Sequence, residues 1–120
     1  LSELYLDTLK DYKSKYSLCV PFKSQIEKLA LKRGFQIIYE VFGDRNYNDD
    51  LSLVSRQNEN AIINDPKEVI NHLTSIINSN AVKTITGDTR EIIFDTICIH
   101  SDTNNSIEIL KEINRVFKNR

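Results

Sequence analysis

Short apolar runs of strand length alternate along this chain with stretches of helical spacing, and that alternation limits the fold more than any other feature. Residues 1–15 place Leu1, Leu4, Tyr5, Leu9 and Tyr12 on one helical face, and Tyr16 to Val20 reads as a short buried strand closed by Pro21. Phe22, Ile26, Leu29 and Ala30 predict the next helix, with Gly34 as its C-terminal cap. Phe35 to Phe42 is a second apolar strand, with Glu40 inside it. The polar, turn-prone stretch over 43–60 predicts a long loop, and long loops in small domains often carry function. Asp65-Pro66-Lys67-Glu68 combines an N-cap carboxylate, proline in the first turn and glutamate at the third helical position. That helix is expected to run to about Asn78, with Val69, Ile70, Leu73, Ile76 and Ile77 inward. Val82 to Ile85 and Glu91 to Phe94, flanking Thr86-Gly87-Asp88, predict a small hairpin. Ile97 to His100 is the third core strand. Thr103 is expected to cap a last helix whose inward face is Ile107, Leu110, Ile113, Val116 and Phe117.

Strands separated by helices pair in parallel through right-handed crossovers. The expected architecture is α/β, a single domain over 1–120, with about three parallel core strands and a small hairpin. A closed (β/α) barrel needs about 200–250 residues. The 120 residues present are therefore expected to supply only part of one. The chain starts at Leu1 and holds no methionine, so a fragment of something longer is the expectation.

Composition narrows the function classes. A formal net charge of −1 gives no global field to draw nucleic acid or an anionic membrane. No run approaches the roughly 18 apolar residues of a membrane span, and the opening residues carry no signal-peptide pattern. A cytoplasmic location is expected. Cys19 and Cys98 each sit in an apolar run and read as two reduced core thiols, a single buried disulfide being the alternative. With two histidines and no close cysteine pair, no metal site is expected. Neither a GxxxxGK[ST] loop nor a GxGxxG turn is present.

Two constellations can carry chemistry. Glu40 lies near the carboxyl end of a buried strand, where the functional residues of α/β folds gather, and Asp44, Arg45, Tyr47 and Arg56 follow. A guanidinium there can clamp a substrate carboxylate through paired hydrogen bonds. The alternative is that Glu40, Asp44 and Arg45 pair with one another and order the loop. The second constellation is His100 and Asp102, at the junction between the last strand and the last helix. Histidine transfers protons near neutral pH, and a nearby carboxylate would orient it. The alternative is a histidine closing the strand end, with Asp102 serving the helix start. His72, mid-helix beside Leu73, reads as a packing residue.

Taken together, these segments resemble the LamB/YcsF family, the A subunit of the ATP-dependent 5-oxoprolinase. Glu40-Val41-Phe42-Gly43-Asp44-Arg45-Asn46-Tyr47 is similar to its E-V-F-A-D-R-x-Y signature, and Leu53-Val54-Ser55-Arg56 to its L-V-x-R. Ala61-Ile62-Ile63-Asn64-Asp65-Pro66 is similar to A-V-I-x-D-P, and Asp95-Thr96-Ile97-Cys98-Ile99-His100 to D-T-I-C-V-H, with Asp102-Thr103 continuing its G-D-T.

The resemblance implies a (β/α) barrel of the seven-stranded glycoside hydrolase/deacetylase type. It implies opening of the lactam 5-oxoproline to glutamate coupled to ATP hydrolysis, since an unactivated lactam is a poor electrophile. ATP is the implied cofactor, bound with partner B and C subunits. In that reading Arg45 or Arg56 holds the substrate carboxylate and Tyr47 lines the substrate site. His100 moves the proton, Asp102 orients it, and Glu40 and Asp44 complete the catalytic set. The family's N-terminal N-x-D-L-G-E motif has no match here, so the likeness is to the C-terminal half. Completion by the missing half or by a homo-oligomer is expected. The rival reading is an inactive half-barrel that serves as an assembly or binding module. Four positions depart from the pattern: Leu51, Asn60 and Ser101 replace glycine, and Asn104 replaces proline. Strained turns are expected where glycine is lost.

Overall fold

The computed structural model describes residues 1–119. Helices α1 (Ser2–Leu9), α2 (Gln25–Lys32), α3 (Pro66–Ser79) and α4 (Ser106–Phe117) alternate with strands β1 (Leu18–Val20), β2 (Ile37–Phe42) and β5 (Thr96–Cys98). A hairpin of β3 (Ala81–Lys83) and β4 (Thr89–Glu91) intervenes. The chain divides into two units, one of Leu1–Val41 with Ile93–Thr96, the other of Phe42–Ile92 with the residues from Ile97 on. Strands β2 and β5 each run from the first unit into the second.

In the first unit β1 and β2 pair in parallel, with Leu18 opposite Ile37 and Val20 opposite Tyr39, as strands joined through a helix should. The sheet order is β1-β2-β5. Asp95 joins β2 through both main chain and side chain: its N–H donates to the Tyr39 carbonyl, and its carboxylate accepts from the Tyr39 N–H at 2.8 Å. Leu6, Ala30 and Phe35 form the core here, with Leu9, Leu18, Ile26, Leu29 and Ile37 packed against them. Helix α2 starts at Ser24, whose hydroxyl accepts from the Glu27 N–H. It ends before Gly34, whose φ of 76° is the left-handed conformation that glycine adopts freely. Glu27 is buried and accepts from the Tyr39 hydroxyl at 2.7 Å, which raises the tyrosine pKa. Helix α1 stops at Leu9 and continues as a 3-10 turn over Lys10–Tyr12, shorter than its apolar spacing implies.

The second unit packs α3 and α4 around Ile63, Val69, Leu73 and Ile109. Helix α3 has the predicted start: the Asp65 carboxylate accepts from the N–H groups of Lys67 and Glu68. Helix α4 departs from expectation. Its N-cap is Asn105, in the left-handed conformation and without a side-chain cap, and Thr103 is engaged elsewhere. Its buried side is Ile109, with Ile113 and Phe117 packed beside it, while Ile107 and Leu110 are exposed. Cys19 and Cys98 are not joined in a disulfide, as expected, but Cys19 is exposed.

The long loop is ordered by two isolated bridges, Arg45 with Ile62 and Tyr47 with Leu53. Of the four departures from the family pattern, only Leu51 has a positive φ, at 68°. Asn60, Ser101 and Asn104 carry no such strain.

A buried aspartate that binds the last strand's histidine

The site grows from the end of β2. Two residues past its last residue, Asp44 lies with no exposed surface. One carboxylate oxygen, Oδ1, accepts from His100 Nδ1 at 2.9 Å. The other accepts from the His100 backbone N–H at 2.8 Å and from the Thr103 hydroxyl at 2.6 Å. Burial works against the charge of Asp44, but the Thr103 and His100 hydrogen bonds outweigh it and lower its pKa. Because a carboxylate only accepts, His100 Nδ1 carries a hydrogen, and in the neutral imidazole Nε2 is then the acceptor. The imidazole stacks on the Phe42 ring, centroids 5.3 Å apart and planes at 15°. Its side chain is 26% exposed, so it can still be reached.

The other candidates fall into distinct places. Asp102 does not orient His100. It pairs with Arg56 at 3.2 Å on the surface, and the carboxylate that holds His100 is Asp44. Beside that ion pair a cavity of about 270 Å³ is lined by Arg56, Asp102 and Thr103, with Glu59 and Asn64 among its other walls. Arg45 is buried, with Nε donating to the Ala61 carbonyl and a terminal nitrogen to that of Val54 at 2.7 Å. Burial and the nearby Arg56 charge lower its pKa. Tyr47 is buried too, and its hydroxyl accepts from the Phe42 N–H. Glu40 is half-buried on β2 in the first unit, and within the second unit the structure groups Asp44 with His100 and Arg56 with Asp102.

Thr103 is the site residue that local reading misassigns: a threonine just before a helix carries the cap signature, and its true partner lies 59 positions away. No local signal marks Phe42 as the surface under the imidazole. Among the described residues no group of three or more His, Cys, Asp or Glu side chains is placed to hold a metal ion. No helix among them is long and apolar enough to cross a membrane. The Arg56 cavity sets Glu59 and Asp102 against one guanidinium, a charge set that does not fit a nucleoside triphosphate.

The model of the LamB/YcsF family matches residues 1–120. The A subunit of 5-oxoprolinase from Pyrococcus abyssi is 30% identical over 118 residues, covering 98% of this chain and 46% of the relative. That from Nitrobacter hamburgensis is 39% identical over 85 residues, 71% of this chain and 33% of the relative. The crystal structure of a lactam utilization protein from Thermus thermophilus superposes with a TM-score of 0.80 at 21% identity, covering 96% of this chain and 47% of that one. The α/β arrangement is thus a known one, and the chain spans about half the length of the relatives it matches most fully. With the family's model matching all of residues 1–120, this chain belongs to the LamB/YcsF family.

Proposed function

We propose that this chain forms part of the A subunit of a 5-oxoprolinase and contributes His100 as the proton-transfer group in hydrolytic opening of 5-oxoproline to glutamate. The observation that carries this is the Asp44–His100 pair: a buried carboxylate that holds Nδ1 of the imidazole and leaves Nε2 to act as the base. A histidine that only closed a strand end would not need its ring nitrogen and its backbone N–H held by one carboxylate. Arg56, exposed at its cavity, is the guanidinium available to a substrate carboxylate, while Arg45 is spent on loop carbonyls. Relatives named as A subunits of 5-oxoprolinase support the substrate class. ATP, which the resemblance implies, is bound by other parts of the assembly, with the B and C subunits as the partners. Within that assembly His100→Ala is expected to abolish lactam cleavage while circular dichroism stays that of the wild type. Turnover near the wild-type rate would overturn the assignment.

A second reading is favoured by the apolar surface of α1, where Leu1, Leu4 and Tyr5 are exposed. In it the half-barrel of the seven-stranded type associates, with a chain carrying the other half or with a second copy, and works as an assembly module. Sedimentation of the isolated chain is expected to show self-association. A stable monomer would sink this second reading.

A further inference from the structure

Phe42 is gripped from three sides within the second unit. Its N–H donates to the Tyr47 hydroxyl at 2.9 Å, its carbonyl lies 3.2 Å from His72 Nε2, and its ring stacks on His100. A carbonyl only accepts, so His72 Nε2 is the donor and Nδ1 is bare. Tyr47 and His72 also stack on each other, centroids 6.1 Å apart and planes at 19°. The two side chains that hold the Phe42 backbone therefore brace one another. The next residue, Gly43, donates its N–H to the Cys98 carbonyl, and a Cβ there would meet Ile99 Cδ1 at 2.7 Å. Burial lowers the His72 pKa, so near pH 7 it contributes a hydrogen bond and no charge.

The hydrogen bond from His100 Nδ1 to Asp44 directs the imidazole but leaves it free to tilt about the Nδ1···Oδ1 line. A surface against the ring face removes that freedom, and the Phe42 ring is that surface. We propose that His72 is a positioning residue for His100: with Tyr47 it holds Phe42 so that the phenyl ring sets the plane of the imidazole. A leucine in place of His72 would fill similar space. It would not supply the donor that ties α3 to the Phe42 carbonyl. The proposal rests on the reading of His100 as the proton-transfer group for its catalytic consequence, and on geometry alone for its structural one.

The test compares His72→Leu, which removes the donor, with His72→Gln, which keeps an N–H near the Nε2 position, in the full chain. Proton NMR of the His100 ring reads the stacking directly, because the Phe42 ring current shields those protons. His72→Leu is expected to move them downfield and His72→Gln to return them toward wild type. Tyr47→Phe keeps the buried ring and removes only the acceptor for the Phe42 N–H. It carries the same expectation as His72→Leu, and serves should that variant not fold. In the complete assembly His72→Leu should lower kcat by about ten- to a hundredfold with KM little changed, and the glutamine variant should recover most of it. Unchanged His100 ring protons in folded His72→Leu and Tyr47→Phe overturn the inference whatever the turnover. Displaced ring protons with full turnover keep the positioning and remove the proton-transfer reading of His100.

Discussion

A carboxylate without exposed surface is unfavourable unless its oxygens are occupied, and Asp44 fills them with three donors from His100 and Thr103. Asp44→Asn keeps the shape but turns an amide N–H toward one of those donors. It is expected to cost about 3 kcal/mol, read as a lower urea midpoint at constant m-value. The Arg56–Asp102 pair is exposed on both sides and worth at most about 1 kcal/mol. Its removal should therefore show in substrate binding before it shows in stability. Leu51 illustrates competing magnitudes at one position. Its left-handed backbone costs about 1–2 kcal/mol, whereas burying its side chain returns about 2 kcal/mol, so the loop keeps a leucine at φ 68°. At this scale the sequence marked Asp44 and His100 as candidates because polar groups at strand ends are conspicuous, and Arg56 as a guanidinium in the loop that follows β2. It paired His100 with the wrong carboxylate, since Asp102 is near in the chain and Asp44 is near only in space.

Elements were legible where their signals are local. The start of α3 is written in four residues, and the structure follows them. Asp65→Ala should destabilise the fold by about 1 kcal/mol, measurable as a fall in thermal midpoint, because two N–H groups lose their acceptor. The start of α4 was not legible, because the Thr103 hydroxyl is drawn to Asp44 and the first turn begins past Asn105 instead. Its inward face was misread for a related reason. Ile107 and Leu110 match helical spacing, but the stripe that meets α3 passes through Ile109 and Ile113. The loop after β2 gave no periodic signal. Its order comes from the two backbone bridges and from side chains, with Arg45 bonded to the Val54 and Ala61 carbonyls and Asp49 accepting from the Thr84 and Thr86 hydroxyls.

For the whole molecule, acid is the condition under which these local choices combine. His72 has a lowered pKa in the fold, so the unfolded chain takes up its proton first. Its contribution is complete above about pH 6.5 and is lost as pH falls from there toward the folded value. Asp44 is also lowered, so its contribution is complete above about pH 4 and is lost below that, as the pH falls through its folded value. Urea midpoints measured from pH 8 to pH 3 should decline in two stages, and His72→Gln should flatten the first stage only. A decline confined to the region below pH 5 would show that His72 does not contribute. The alternation of helices and strands, and the parallel pairing of β1 with β2, followed from pattern alone. The chain spans about half the length of these relatives.

The Asp44 cluster has a kinetic consequence. Its hydrogen bonds join residues 56 and 59 positions apart, so they close only after a long stretch of chain has been brought into place. Contacts of such separation form late, because the loop entropy must be overcome first. The site is therefore a latch set after folding is nearly complete. Loosening it at Asp44 should quicken unfolding and leave the folding rate almost untouched.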